Sequence, residues 1–279
     1  RKDTWKVDCE ASAFVRVEYS YYAAELNAGS SYLDEQQLYI NPVNCFLYPQ
    51  ATENLGFEIQ LHLPAHWEIA SGLHFQDNKT VVANFDQLAD SPFICSGQIQ
   101  RNSYEVNGIT FHICFNNQKQ IPWEKVLEDF KRFTRQQIAD FGEFPVPEFT
   151  FLIQSVPYAA YHGVEHLNST VIALGPSSEV FTTLYTELLG VSSHELYHTW
   201  NVKAIRPIEM FPYDYQRENY SKLGYLCEGV TTYMGDLMLY KSGVFTFNEY
   251  ARELTQQLQK HFDNFGRFAY SVADSSFDT

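Results

Sequence analysis

The run Ser193-His194-Glu195-Leu196-Tyr197-His198-Thr199-Trp200-Asn201 constrains this chain more than any other stretch, because it contains His-Glu-x-x-His. In an α-helix, residues four apart lie on one face, one turn above the other, so His194 and His198 can aim two imidazole nitrogens at one ion. Glu195, about 100° further round the helix, can reach a water on that ion. Two histidines and a water leave room for one more protein ligand, which suits a single catalytic zinc. Leu184, Leu188, Val191 and Trp200 favour one apolar side of the predicted helix. Ser177 or Ser178 is the expected N-cap. Gly190 costs roughly 1 kcal/mol against Ala, so packing must hold this helix. The competing reading is two surface histidines on an amphipathic helix, and the rest of the chain decides between them.

The third ligand is expected on a neighbouring helix. Glu228 lies in an apolar segment from about Leu223 to Tyr240 that Ser242-Gly243 closes. An acid placed there needs a partner, and a zinc ion would be one. Gly224, Gly229 and Gly235 would let this segment lie close to the zinc helix. Glu218 is the rival. Its distance from His198 suits a common zinc-peptidase spacing, but it sits in the polar run Asp214 to Tyr220. A packed helix fixes a ligand better than a loop does, which favours Glu228.

The N-terminal part reads as short strands. Ala13–Tyr19, Gly56–Leu63 and Ile109–Phe115 alternate or run apolar, with Asn, Gly and Pro between them, as in an antiparallel sheet. His62, His66, His74 and His112 are scattered there without ligand spacing. A division is expected near Gln118 to Pro122, giving an antiparallel β domain over 1–118 and a second domain over 119–279. Pro122 opens a predicted helix in which Trp123, Val126, Leu127, Phe130 and Phe133 recur at helical spacing up to Gly142. A strand follows at Glu148–Ile153, then a loop and edge strand over Tyr161–Leu174. Thr246-Phe247-Asn248-Glu249 is a capping box, with Tyr250, Leu254, Leu258 and Phe262 at i+4 steps behind it and Gly266 as the stop.

A net charge of −15 argues against nucleic acid and against anionic membrane surfaces as partners. No apolar run approaches the ~18 residues of a membrane span, so a soluble protein is expected. Five cysteines, an odd number, give no disulfide framework, and Cys227 reads as core. The chain opens at Arg1 without an initiator Met. An N-terminal segment is therefore expected to have been removed or to precede it, and a cytoplasmic or a periplasmic or secreted location fits equally. It closes at Ser271–Thr279 within helical-looking sequence, so a second domain incomplete at its C-terminus is expected.

The run His194 to Pro207 resembles the glycyl aminopeptidase family of zinc metallopeptidases. So do Pro212-Tyr213-Asp214-Tyr215, Glu218-Asn219-Tyr220, Glu228-Gly229-Val230-Thr231, and upstream Tyr161-His162-Gly163-Val164-Glu165-His166-Leu167-Asn168-Ser169. The match is weaker over Arg1 to Asn117, where Tyr39 to Tyr48 is its best point. The resemblance implies an α+β architecture: an N-terminal antiparallel β domain, then a thermolysin-like domain of mixed sheet and helices, commonly followed by a PDZ domain. It implies a peptide substrate with a small first residue, Gly or Ala. Gly163, Glu165 and His166 match the family's Gly-x-Glu-His segment, and Glu165 would hold the substrate's free α-ammonium. Glu195 would be the general base. In more distant relatives the oxyanion stabiliser, a Tyr or His, lies well downstream of the third ligand and here falls beyond Thr279 or among Tyr213, Tyr215, Tyr220, Tyr233 and Tyr270, with Tyr215 and Tyr220 in the resembling segments. Two other functions fit the same residues: a metal-dependent endopeptidase in which Glu165 binds no amine, and a non-catalytic peptide-binding protein on a peptidase fold.

Overall fold

The computed structural model describes residues 4–7, 14–49 and 55–277; the opening Arg1–Asp3, the expected strand residue Ala13 and the closing Asp278–Thr279 lie outside the described residues. Short apolar runs between Asn, Gly and Pro give short strands, and every pairing in the N-terminal part is antiparallel. These are β1 (Tyr32–Leu33), β2 (Gln37–Ile40), β3 (Phe57–Gln60), β4 (Glu68–Ser71), β5 (Lys79–Val82) and β6 (Phe93–Ser96), with helix α1 (Phe85–Ala89) before the last. One sheet runs β1-β2-β6-β4 and a second pairs β3 with β5. The side chain of Asn84 caps α1 by accepting from the Gln87 N–H, and Phe85, Leu88 and Ala89 bury against Ile59 and Val82. Residues 14–19, where alternation predicts a strand, join neither sheet. Their side chains are exposed throughout, so the alternation buries nothing and cannot select a register.

Strands β7 (Gln100–Val106) and β8 (Ile109–Asn116) form a hairpin. Its turn is Asn107-Gly108, with φ of 53° and 80°. A two-residue turn with both φ positive matches the twist of the flanking strands, and Asn-Gly tolerates it. Strand β8 then pairs in parallel with β9 (Glu148–Ser155), which pairs in parallel with β11 (Ser169–Gly175), and β10 (Ala160–Glu165) closes the edge antiparallel to β11. The order is β10-β11-β9-β8-β7. The strand Ile109–Phe115, expected among the N-terminal strands, therefore belongs to this mixed sheet. Phe111, Ile113, Cys114 and Phe115 are all buried. A strand covered on both faces suits parallel pairing rather than a half-exposed antiparallel sheet.

Helix α2 (Trp123–Phe141) lies across this sheet as expected, entered through Pro122 and ended by Gly142 at φ 89°, a left-handed value that glycine adopts without strain. Its Val126, Phe130, Phe133 and Ile138 pack with Phe149 and Phe151 of β9 and with Leu188 and Leu196 of helix α3 (Tyr185–Tyr197). The N-terminus of α3 is later than expected. Ser177 and Ser178 sit in a separate 3-10 turn, and Thr182 and Thr183 bond locally to Glu179, competing with helix.

A π-helical turn at Tyr225–Val230 leads into α4 (Thr231–Lys241); α5 (Phe247–Asp263), with the expected capping box, and α6 (Val272–Phe277) follow. The apolar stripe of α5 is only partly covered, since Leu258 and Phe262 remain exposed. Among the described residues Cys45, Cys95, Cys114 and Cys227 are free, and no helix is long and apolar enough to cross a membrane.

Candidate metal centre

Three hydrogen-bonded layers hold α3 where its histidines are needed. Buried Gln137 of α2 donates to the carbonyl and hydroxyl of Ser193, both at 2.9 Å. Ser193 in turn donates to the carbonyl of Gly235 on α4, at 2.8 Å. At Gly235 the two helices are so close that an added Cβ would stand 3.1 Å from the backbone of His194. Of the three glycines expected to permit this approach, Gly235 alone faces the zinc helix; Gly224 faces Ser276, and a Cβ at Gly229 would meet nothing within 4 Å. On the other side Trp200 stacks on Phe141 and donates to the carbonyl of Glu143.

His194, His198 and Glu228 converge. The two Nε2 atoms are 2.9 Å apart, and Glu228 Oε2 lies 3.4 Å from His194 Nε2 and 3.5 Å from His198 Nε2. A tetrahedral zinc with bonds of 2.0–2.1 Å has ligand–ligand edges of about 3.3 Å, so these donors fit one such ion. The Nδ1–H of His198 donates to the carbonyl of Asn201 at 2.7 Å, which leaves the Nε2 lone pair facing the centre. The amide of Asn201 reaches the other way, to the carbonyls of Leu226 and Cys227 and the hydroxyl of Thr231. A π-helical turn frees carbonyls that an α-helix would use, and Asn201 binds them. One residue thus fixes both His198 and the turn that presents Glu228. The rival Glu218 stays on the exposed loop and does not enter this cluster.

Glu195 is buried, and two features seat it. The hydroxyl of Thr170 on β11 lies 3.3 Å from its Oε2. Gly163 on β10 offers bare Cα: a Cβ there would collide with Glu195 Oε1 and stand 2.5 Å from its carboxyl carbon. Glu165, two residues along the same edge strand, brings its carboxylate within 4.8 Å of Glu195 and of His198. Burial, and then the charge of Glu165, push the Glu195 carboxyl up to about 8. Burial would lower His198, but the hydrogen bond to Glu228 and the surrounding carboxylates raise it to about 9. Burial would raise Glu228, yet its two histidine partners hold it well below the usual carboxylate range. Three carboxylates crowding two histidines are what a bound dication would relieve.

His166 turns away from the histidine pair. It is buried, and its Nδ1–H donates to Asp90 at 3.1 Å. The same carboxylate accepts from the backbone N–H of Leu167 at 2.9 Å and from Lys203 Nζ at 2.7 Å. Burial would raise Asp90, but His166 and Lys203 bring it down to about 2. Tyr215 is engaged elsewhere: its hydroxyl donates to Asp86 at 2.6 Å and its ring packs edge-on against Phe85. Tyr220 is exposed and lies against Phe277. Tyr213 is held under Lys203 and Arg206, and Tyr233 and Tyr270 are exposed. A cleft of about 1060 Å³ opens beside Glu165, lined also by Asp90, Lys203, Arg206 and Tyr213.

The fold and the site place the chain among metallopeptidase-like proteins. A two-domain M1 zinc metallopeptidase, a glutamate-to-alanine mutant bound to L-arginine, superposes with a TM-score of 0.50 at 14% identity over 86% of this chain and 54% of that one. The same kind of mutant bound to L-tryptophan gives 0.50 at 12% identity, over 85% and 54%. At such identity the likeness is one of fold. An aminopeptidase N family protein from Idiomarina loihiensis is much nearer: TM-score 0.85, 28% identity, 92% of this chain and 46% of that one. The chain thus spans about half the length of that relative. No curated protein matches the sequence. Residues 187–279 match the M61 glycyl aminopeptidase family and residues 1–97 match the peptidase M61 N-terminal domain. The chain belongs to the M61 glycyl aminopeptidase family.

Proposed function

We propose that this chain is the core of a zinc-dependent aminopeptidase that removes a small N-terminal residue, Gly or Ala, from peptides. The observation that carries the reading is the place of Glu165, on an edge strand with its carboxylate within 4.8 Å of both Glu195 and His198. An extended residue advances only about 3.3–3.6 Å. A substrate whose α-ammonium pairs with Glu165 therefore presents its first carbonyl, and no later one, to the histidine cluster. The ammonium also answers the repulsion between Glu165 and Glu195, through a charge-assisted contact.

A zinc ion held by His194, His198 and Glu228 would supply Lewis acidity and an acidified water. Glu195, seated by Gly163 and Thr170, takes the proton from the attacking water and passes it to the departing amine. Asn201 keeps the ligands in place by holding His198 and the Glu228 turn together. Glu165 sets the distance from chain end to scissile bond and so makes the reaction exopeptidic. The small-residue preference follows the family's glycyl specificity.

The test is turnover of Gly-, Ala- and Leu-p-nitroanilide and of N-acetyl-Ala-p-nitroanilide by the full-length protein, with zinc content measured on each sample. The expected result is hydrolysis of the free-amine Gly and Ala substrates alone. Glu195→Gln should abolish turnover with zinc retained, and Glu165→Gln should weaken it. Equal cleavage of the acetylated substrate would make the protein an endopeptidase. Bound zinc with no turnover of any substrate would make it a binder.

A further inference from the structure

Among the contacts between the N-terminal sheets and the site, the carboxylate of Asp90 gathers three donors. We propose that Asp90 is a positioning residue for amine recognition, fixing Glu165 relative to the metal ligands; this rests on the aminopeptidase reading above. Asp90 follows α1, a helix anchored by buried Phe85, Leu88 and Ala89. Its own N–H bonds back to the carbonyl of Asp86 at 3.0 Å, so the helix end aims the carboxylate.

Three donors meet that carboxylate, and all come from segments next to the site. His166 Nδ1–H and the Leu167 N–H belong to the two residues that follow Glu165. Lys203 Nζ belongs to the turn after His198, and the Lys203 N–H itself bonds to the His198 carbonyl at 3.0 Å. His166 and Lys203 are 4% and 7% exposed, so these are desolvated contacts rather than surface pairs. The amide of Asn168 adds a second tie between the same turn and the N-terminal sheets, donating to the carbonyl of Gly72 at 2.8 Å.

Edge strand β10 is paired on one side alone, through β11. The turn after its end, where Glu165 sits, is tied to the N-terminal part by the carboxylate of Asp90 and by Asn168. The same carboxylate restrains the backbone that carries His198. One group therefore sets the separation between the amine anchor and the metal ligands, the distance that decides where a peptide is cut. Removing one partner of a buried charge pair leaves the other stranded, so the substitution must keep shape and be checked against a charge-neutral pair.

The experiment compares Asp90→Asn, the double variant Asp90→Asn/Lys203→Met, Glu165→Gln and, as a control on the same helix, Asp86→Asn. Each full-length protein is assayed on Ala-p-nitroanilide and N-acetyl-Ala-p-nitroanilide, with Tm and zinc content. The expected result for Asp90→Asn is a KM for Ala-p-nitroanilide raised about tenfold or more, as for a misplaced anchor. Preference for the free amine should fall by a similar factor, with kcat and zinc little changed. Asp86→Asn should leave all of these as in the wild type. If Asp90→Asn does not fold, the double variant, which leaves no lysine charge stranded, gives the reading instead. A folded Asp90 variant, single or double, with wild-type KM and wild-type free-amine preference overturns the proposal. If Glu165→Gln itself leaves the free-amine preference intact, the amine-anchor reading fails, and Asp90 has nothing to position. If Glu165→Gln removes the preference and the Asp90 variants do not alter it, the anchor stands and Asp90 does not serve it.

Discussion

Replacing Gly163 by alanine adds one methyl group at the point where Glu195 rests on the edge strand. The new Cβ would stand 2.5 Å from the Glu195 carboxyl carbon and 2.9 Å from its Cγ, and would overlap Oε1. Non-bonded carbons meet at about 3.5 Å. The carboxyl group must therefore retreat by about 1 Å, because the strand is tied to β11 along its whole length. A misplacement of this size costs a catalytic group on the order of 10²-fold in rate, or about 2.7 kcal/mol of barrier. Stability should suffer less. Overpacking costs about 1–3 kcal/mol, the displaced group is the end of a flexible side chain, and alanine restrains the unfolded chain relative to glycine by about 0.4–1 kcal/mol. The three atoms nearest the methyl all belong to Glu195 and none to a metal ligand, so zinc content should stay at the wild-type level. The assay is kcat and KM for Ala-p-nitroanilide beside zinc content and Tm, repeated in a Glu195→Asp background. There the shorter side chain has already withdrawn, and the added cost of Gly163→Ala should shrink, a coupling that a double-mutant cycle measures. A Gly163→Ala protein within threefold of wild type, folded and zinc-loaded, would refute the view that bare Cα seats the general base.

Glu228→Ala should bind zinc poorly and be inactive, whereas Glu218→Ala should keep both zinc and activity; metal analysis after dialysis distinguishes the two acids. Asn201→Ala keeps the backbone carbonyl that accepts from His198 but frees the turn that carries Glu228; it should weaken zinc binding about 10-fold, toward the low end of the effect of losing an outer contact, read by competition with a chromophoric chelator. Asp236 is raised to about 6 by burial and then by the charge of Glu253. Its folded-state value lies above the unfolded one, so its contribution to stability is full below pH 3.8 and is lost as pH rises through 6. The Tm of Asp236→Asn minus that of wild type should therefore increase from pH 4 to pH 7, and a difference that stays flat or falls would contradict the shift.

Features carried by local pattern were readable from the sequence. The histidine pair and Glu195 follow from helical spacing, Glu228 is favoured by its place in an apolar segment, and α2 and α5 follow from apolar periodicity with Pro122, Gly142 and the Thr246 capping box. Features that depend on distant chain were not. Nothing near the turn Asn107-Gly108 tells that β8 pairs in parallel with a strand some forty residues on. Apparent alternation at 14–19 failed because no face there is buried. Thr170, Gln137 and Asp90 carry no motif. Each acts by touching a residue far along the chain, at separations of 25, 56 and up to 113 residues. Asn201 lay inside the recognised run, yet its task depends on a π-helical turn that residue type does not announce.

The reach of these contacts separates two properties of the molecule during folding. The histidines share one helix turn and Glu228 is thirty residues beyond His198, whereas the Asp90–Lys203 contact closes a loop of 113 residues. Closing the longer loop costs about 1 kcal/mol more in chain entropy, at roughly 0.6 kcal/mol per doubling, and contacts of longer range form more slowly. By this measure the proposed metal ligands lie in the stretch of shorter range, and the proposed end-recognising geometry depends on the contact of longer range to the N-terminal sheets. A molecule whose N-terminal sheets have locally opened would hold its ion while having lost the ruler that tells a chain end from a chain middle.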